Sequence, residues 1–290
     1  MAAETLPYQQ WQARLDPRQI YSQPPAPLYP ALIDGQLYYL EQRAAEGGRS
    51  VLVSQQLDGT SAAIKRTLTP DGFNIRSRVH EYGGKAFLLA NGYAWFINDS
   101  DSRIYRQKLI PESVPEVLSA AEGNDQAIDF QLTADGKYLI FVQEHPSEDG
   151  ENENFICVLA LHPESDGIPA RLVTGADFYA NPVISPDGSK MSWIEWDHPQ
   201  MPWDGSLLKS GQLRVQQGVL TIDPKSVVTI AGGKECAVNQ LQYSPAGRLF
   251  FALDGSDEIR SLQAESWDLF SWDGQLVERI TKDSGEFGEA

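Results

Sequence analysis

A four-residue turn recurs along this chain at long intervals, and each copy leads into an apolar run. Thr133-Ala134-Asp135-Gly136 precedes Tyr138–Gln143, Ser185-Pro186-Asp187-Gly188 precedes Lys190–Trp196, and Ser244-Pro245-Ala246-Gly247 precedes Arg248–Leu253. Ile33-Asp34-Gly35 and Ala90-Asn91-Gly92 are weaker copies. Proline pre-sets φ at the second turn position, and glycine accepts φ > 0 later in the turn. The turn glycines stand at 35, 92, 136, 188 and 247, with spacings of 57, 44, 52 and 59 residues. A unit of roughly 40–50 residues with about four strands is one propeller blade.

The runs themselves read as strands. Gln36–Leu40, Ser50–Gln55, Ala86–Ala90, Tyr93–Ile97, Arg103–Leu109, Asn154–Leu161 and Trp267–Trp272 are short and rich in Val, Ile, Tyr, Phe and Trp. The pattern predicts an all-β chain, a β-propeller of about five four-stranded blades over 24–70, 79–120, 124–175, 176–233 and 234–283, within a propeller region 24–290. The surplus over one blade length is assigned to loop insertions at Pro146–Glu153 and Asp197–Gly211. A β-sandwich is the rival all-β reading, but it does not account for one turn recurring at so long a period. Residues 1–23 form a separate N-terminal segment, with one or two short helical turns expected within 4–20.

Composition narrows the function. Lys and Arg number 23 against 40 Asp and Glu, a net charge of −17, which argues against nucleic acid or an anionic membrane surface as partner. No apolar stretch approaches the roughly 20 residues that span a bilayer. The N-terminus has no basic stretch followed by an apolar one, so a cytoplasmic protein is expected. The two cysteines are too few for a disulfide scaffold. Cys157 lies in the apolar run Phe155–Leu159, where a small buried thiol is ordinary.

The motifs of common chemistries are missing. There is no G-x-S-x-G elbow and no strand–helix alternation around one. His80, His145, His162 and His198 are not spaced as metal ligands, and neither H-E-x-x-H nor C-x-x-C occurs. The acidic run Glu148–Glu153 lacks the ligand spacing of a calcium loop. Phosphate-binding G-x-x-x-x-G-K-[ST] and G-x-G-x-x-G patterns are absent. No catalytic residue, metal site or cofactor is therefore expected.

Two segments are denser than a blade requires: Phe73–Gly84 (FNIRSRVHEYGG) and Trp193–Gly205 (WIEWDHPQMPWDG). Arg78, His80, Glu81, Asp197, His198, Trp203 and Asp204 are the candidates for contact with a substrate or a second domain. The structural alternative is that these charges pair across blades and the tryptophans fill gaps between them.

These segments also carry a family resemblance. FNIRSRVHEYGG, the longer stretch SPDGSKMSWIEWDHPQMPWDG (Ser185–Gly205) and YYLEQRAAEGGRSVLV (Tyr38–Val53) resemble, in the same order, the N-terminal propeller of bacterial prolyl oligopeptidase family serine peptidases. These enzymes are often labelled dipeptidyl aminopeptidase or acylaminoacyl peptidase. The similarity runs over most of residues 7–288, and DHPQMPWDG is its most specific part. Residues 206–230 match only loosely, leaving the outer strands of the fourth blade unassigned.

The resemblance implies a two-domain enzyme, in which an α/β-hydrolase domain with a Ser-Asp-His triad follows the propeller. The propeller would cover the active-site mouth, admitting short peptides and excluding folded proteins. Family propellers have about seven blades; the chain ends after about five, near Glu286-Phe287-Gly288, without the hydrolase domain, so no triad residue carries over. The expected function is thus the non-catalytic, gating part of a serine peptidase whose partner is the hydrolase domain. The alternative is a free-standing propeller that binds a partner, with Leu28–Ile33 and Gln275–Ile280 as candidates for a strand shared between its ends. A metal-assisted lactonase or a glycosidase would need His or carboxylates converging on the central channel, and the histidines are sparse.

Overall fold

A computed structural model describes residues 27–57, 64–120, 124–147, 152–257, 259–260 and 262–282. The N-terminal segment 1–23, with its expected helical turns, and most of the acidic run 148–153 lie outside the described residues.

Five antiparallel sheets form, arranged as a five-bladed β-propeller. The first blade holds β1 (Leu28–Ile33), β2 (Gln36–Arg43), β3 (Arg49–Gln56) and β4 (Lys65–Thr67). The second holds β5 (Phe87–Ala90), β6 (Tyr93–Asn98), β7 (Arg103–Lys108) and β8 (Glu116–Val117). The third holds β9 (Gln126–Leu132), β10 (Tyr138–His145), β11 (Glu153–Ala160) and β12 (Ala170–Val173). The fourth holds β13 (Phe178–Ile184), β14 (Lys190–Trp196), β15 (Leu207–Gln216), β16 (Val219–Ile222) and β17 (Val228–Gly232). The fifth holds β18 (Cys236–Tyr243), β19 (Leu249–Asp257), β20 (Leu262–Trp272) and β21 (Val277–Arg279). Among the described residues no helix is long and apolar enough to cross a membrane.

The recurring turn joins the first two strands of every blade. Asp34-Gly35 and Asn91-Gly92 take φ > 0 at both residues, as two-residue hairpins require. The three longer copies close through Gly136 N–H to Thr133 O at 2.8 Å, Gly188 N–H to Ser185 O at 2.8 Å and Gly247 N–H to Ser244 O at 2.9 Å. In the fourth blade Asp187 Oδ1 also accepts Ser185 Oγ at 2.6 Å and Ser189 N–H at 3.0 Å. The hydroxyl of Ser185, then the Ser189 donors, hold the Asp187 carboxyl down at about 2.

A second signature repeats on the first strands. Asp129, Asn181 and Gln240 take φ of 56°, 50° and 56°. The pairing register of β9, β13 and β18 slips beside these residues, which marks β-bulges. The bulges also link blades: Asp129 N–H donates to Lys85 O at 3.0 Å, and Asn181 N–H to Asp129 Oδ2 at 2.9 Å.

The fourth blade departs from the expected layout. The insertion beginning at Asp197 ends at Ser206, because Leu207–Gly211 already belongs to β15. Polar residues at Lys209, Ser210, Gln212 and Arg214 hide that strand from an apolar-run reading. Its first half pairs with β17 and its second half with β16, so an extra hairpin projects from the sheet. Tyr138 of the third blade donates its hydroxyl to Gly218 O at that hairpin's tip, at 2.6 Å.

The core lies between sheet faces. One apolar cluster joins the first three blades through Leu52, Phe87, Phe96, Leu139 and Phe141. Another joins the third and fourth through Ile140, Val158, Tyr179 and Trp193, and another the fourth and fifth through Leu208, Ile230, Phe251 and Phe270. Among the described residues no such cluster joins the fifth blade to the first. Among the described residues Leu28–Ile33 pairs only within the first sheet and Val277–Arg279 only within the last.

Candidate functional site

The connection from β4 to β5 stitches three blades together. Ile75 N–H donates to Ser50 O at 2.9 Å in the first blade, and Asn74 N–H to Asn98 Oδ1 at 2.9 Å in the second. Arg78 N–H then reaches Gln126 Oε1 at 3.0 Å in the third. Val79 is fully buried, and the next two residues adopt φ of 56° (His80) and 69° (Glu81), a conformation that costs non-glycine residues energy. Gly83, at φ 81°, has no room for a side chain: a Cβ would lie 2.6 Å from Ser77 O. Gly83 is thus dictated by a tight reversal that sets His80 against the third and fourth blades.

The second segment leaves the end of β14. Asp177, just before β13, receives it: His198 N–H donates to Asp177 Oδ2 at 2.9 Å, and His198 Nδ1 lies 3.1 Å from the same oxygen. In return Asp177 N–H donates to Asp197 Oδ1 at 2.8 Å. The peptide bond His198–Pro199 is cis. Asp204 N–H and Gly205 N–H close the loop on Met201 O at 2.9 and 3.1 Å.

Between the two segments lies a cavity of about 620 Å³. Its polar lining includes Glu81, Glu144, Asp177 and His198; Tyr82, Phe178, Trp196 and Met201 supply apolar walls, and among the described residues no Lys or Arg lines it. The His80 ring packs edge-on to Trp196 and Phe178, with centroids 5.2 and 5.5 Å away. Burial pushes its pKa down to about 4, so the imidazole is neutral near pH 7. Glu144 is almost fully buried, and that burial raises its pKa against the pull of the His80 and Asn152 donors. The His198 N–H pulls Asp177 the other way, below the ordinary carboxylate range. The chamber is therefore an acidic recess with aromatic sides.

A second cavity of about 310 Å³ adjoins it, sharing His80, Tyr82, Trp196 and Pro202. Its walls come from the first strands of three blades, through Ile128 and Asp129, Ala180, and Val238 and Asn239, and from Trp203 and Trp267.

The structure brings four of the seven sequence candidates to these two cavities: His80, Glu81 and His198 to the first, His80 and Trp203 to the second. Arg78 is exposed, its Nε 3.9 Å from Asp99 Oδ1, and Asp197 and Asp204 brace the second loop. Sequence reasoning missed Glu144, Asp177, Phe178 and Trp267. A signal for Asp177 exists in the repeat. In the third blade His145 Nδ1 lies 2.6 Å from Asp125 Oδ1, twenty residues away; in the fourth, His198 pairs with Asp177 across 21. Both histidines precede a proline, and both aspartates stand four residues before a bulge residue, Asp129 or Asn181.

No family model matches the chain, and no curated protein matches it. Solved structures do. A puromycin hydrolase variant complexed with PGG superposes with a TM-score of 0.79 at 26% identity, over 98% of this chain and 43% of that one. The chain resembles the N-terminal propeller of prolyl oligopeptidase family peptidases. A puromycin-hydrolysing peptidase from Mycobacterium tuberculosis agrees in fold, with TM-score 0.75 at 24% identity over 97% of this chain and 42% of that one. The β-propeller domain of the trilobed protease of Pyrococcus furiosus shares the fold more distantly, at 12% identity and TM-score 0.50. The chain thus spans less than half the length of the puromycin-hydrolysing peptidases it resembles.

Proposed function

We propose that this chain is the propeller part of a serine peptidase, and that it gates peptide access to the active site of an α/β-hydrolase domain. The observation that carries this reading is the likeness to puromycin hydrolase over 98% of the chain. The acidic cavity supplies a chemical rationale for the substrate side. Glu81, Glu144 and Asp177 face a recess that no described Lys or Arg lines, with Phe178 and Trp196 as walls. Carboxylates beside aromatic faces suit an ammonium group, such as the free amino end of a short peptide. Cys157 is a free, buried thiol, in keeping with a reducing, cytoplasmic setting.

Titration calorimetry of the chain with a tripeptide tests the reading. A free amino terminus is expected to bind, the N-acetylated tripeptide at least tenfold more weakly, and the difference to shrink in Asp177→Asn combined with Glu81→Gln. Equal binding of the two peptides, or none, would remove the substrate-facing role.

A further inference from the structure

The second cavity has a different chemistry from the first. Ile128, Ile194 and Val238 form a buried apolar floor, whereas Trp203 at the rim is 57% exposed and Tyr82 is 61% exposed. Asp129, the one carboxylate among its described lining residues, already receives Asn181 N–H at 2.9 Å. Large aromatic side chains left exposed around an apolar hollow mark a binding surface more often than an ordinary exterior. Among the described residues no side chain fills the hollow. Its volume of about 310 Å³ is roughly twice the ~150 Å³ apolar cavity that takes up benzene in another protein.

The two cavities touch. His80, Tyr82, Trp196 and Pro202 belong to both, so a ligand head held by the carboxylates of the first has the second within reach of its next few atoms. We infer that the hollow under Trp203 and Trp267 is a subsite for the aromatic or long aliphatic body of a ligand whose ammonium head lies in the acidic cavity. The ligand class is an apolar primary amine. The inference rests on the ammonium reading above for the head and adds the selection of the body. It commits to a small ligand rather than a docked protein segment, because charge complementarity fixes the neighbouring head group.

Three probes separate the two claims when titrated into the full chain: 2-phenylethylamine, ethylamine and 2-phenylethanol. Burying the phenyl ring predicts that 2-phenylethylamine binds roughly tenfold or more tightly than ethylamine. Its binding should also change the tryptophan fluorescence. In Trp203→Ala the ratio of the two amine affinities should fall towards one, while Trp203→Phe retains most of it. Trp203 is largely exposed on a loop, and an unchanged melting curve for each variant checks the fold. Equal affinities for the two amines, or a ratio that survives Trp203→Ala, would overturn the subsite and leave the ammonium reading standing. Binding of 2-phenylethanol as tight as that of 2-phenylethylamine would support the subsite and sink the ammonium reading. Failure of all three probes to bind would overturn both.

Discussion

The backbone N–H of His80 donates to Glu144 Oε2 at 2.9 Å, joining residues 64 positions apart. The other oxygen of that carboxylate takes Asn152 Nδ2 at 3.0 Å. One buried side chain in the third blade thereby holds the loop that enters from the first. Glu144→Ala removes the acceptor and strands an N–H in a strained turn, at an expected cost of about 1–3 kcal/mol. Glu144→Gln keeps a carbonyl oxygen and should cost less. Urea unfolding reads the difference as a lowered midpoint with the slope unchanged; equal losses in the two variants would show that the hydrogen bond is not what matters.

His80 should make stability depend on pH. Its folded pKa, near 4, lies below the ordinary value of 6.5, so the unfolded chain takes up the proton first as pH falls. The contribution is therefore intact above about pH 6.5 and is lost progressively between 6.5 and 4. From pH 7 to pH 5 the loss attributable to His80 is about 2 kcal/mol. Glu144, whose pKa is raised, works in the opposite sense, and Glu81 and His198 line the same cavity. The informative quantity is thus the difference between the chain and His80→Gln. If both lose stability equally over this range, the buried neutral imidazole is not the cause.

The last strand is tethered by a buried carboxylate. Asp268 is fully buried and accepts Arg279 Nη2 at 2.6 Å and Thr281 Oγ1 at 3.1 Å. Asp268→Ala should destabilise the fifth blade by about 2 kcal/mol, below the usual cost of breaking a buried ion pair, because Arg279 is partly exposed. Hydrogen exchange at Val277–Thr281 should accelerate ahead of exchange in β19. Uniform acceleration across the blade would mean that Asp268 supports the whole sheet rather than its edge.

Apolar residues remain exposed on the first and last blades. Leu28, Tyr29 and Leu32 of β1 are exposed, as are Leu276 and Ile280 beside β21. Exposed sheet edges and apolar patches promote association. Sedimentation should therefore detect concentration-dependent self-association despite the charge of −17. Leu32→Glu should reduce it while leaving the melting temperature nearly unchanged. A monodisperse monomer at every concentration would count against this expectation.

Much of the fold was legible because blades announce themselves locally. Asp34-Gly35, Asn91-Gly92 and the three longer turns carry the residues that φ > 0 demands, and the strands after them are short runs rich in apolar and aromatic residues. The fourth blade was less legible, because β15 alternates apolar with polar residues and shares its length between two partners. In the site, His80, Glu81, His198 and Trp203 stood out as polar and aromatic residues crowded into loops. Glu144 and Asp177 did not, since each is a single acid at a strand end whose partner is distant in sequence. Arg78, Asp197 and Asp204 were equally conspicuous in sequence but line neither cavity.

Taken alone, the amino-acid order determined the turn positions, the strand runs and hence the number of repeating units. Those depend on steric limits that glycine, proline and neighbouring residues impose over a few bonds. Which carboxylates face an aromatic wall, and which acids merely brace a loop, was decided only by tertiary structure. That outcome depends on how the third, fourth and fifth blades stand against one another, and on burial that lowers the pKa of His80 and raises that of Glu144.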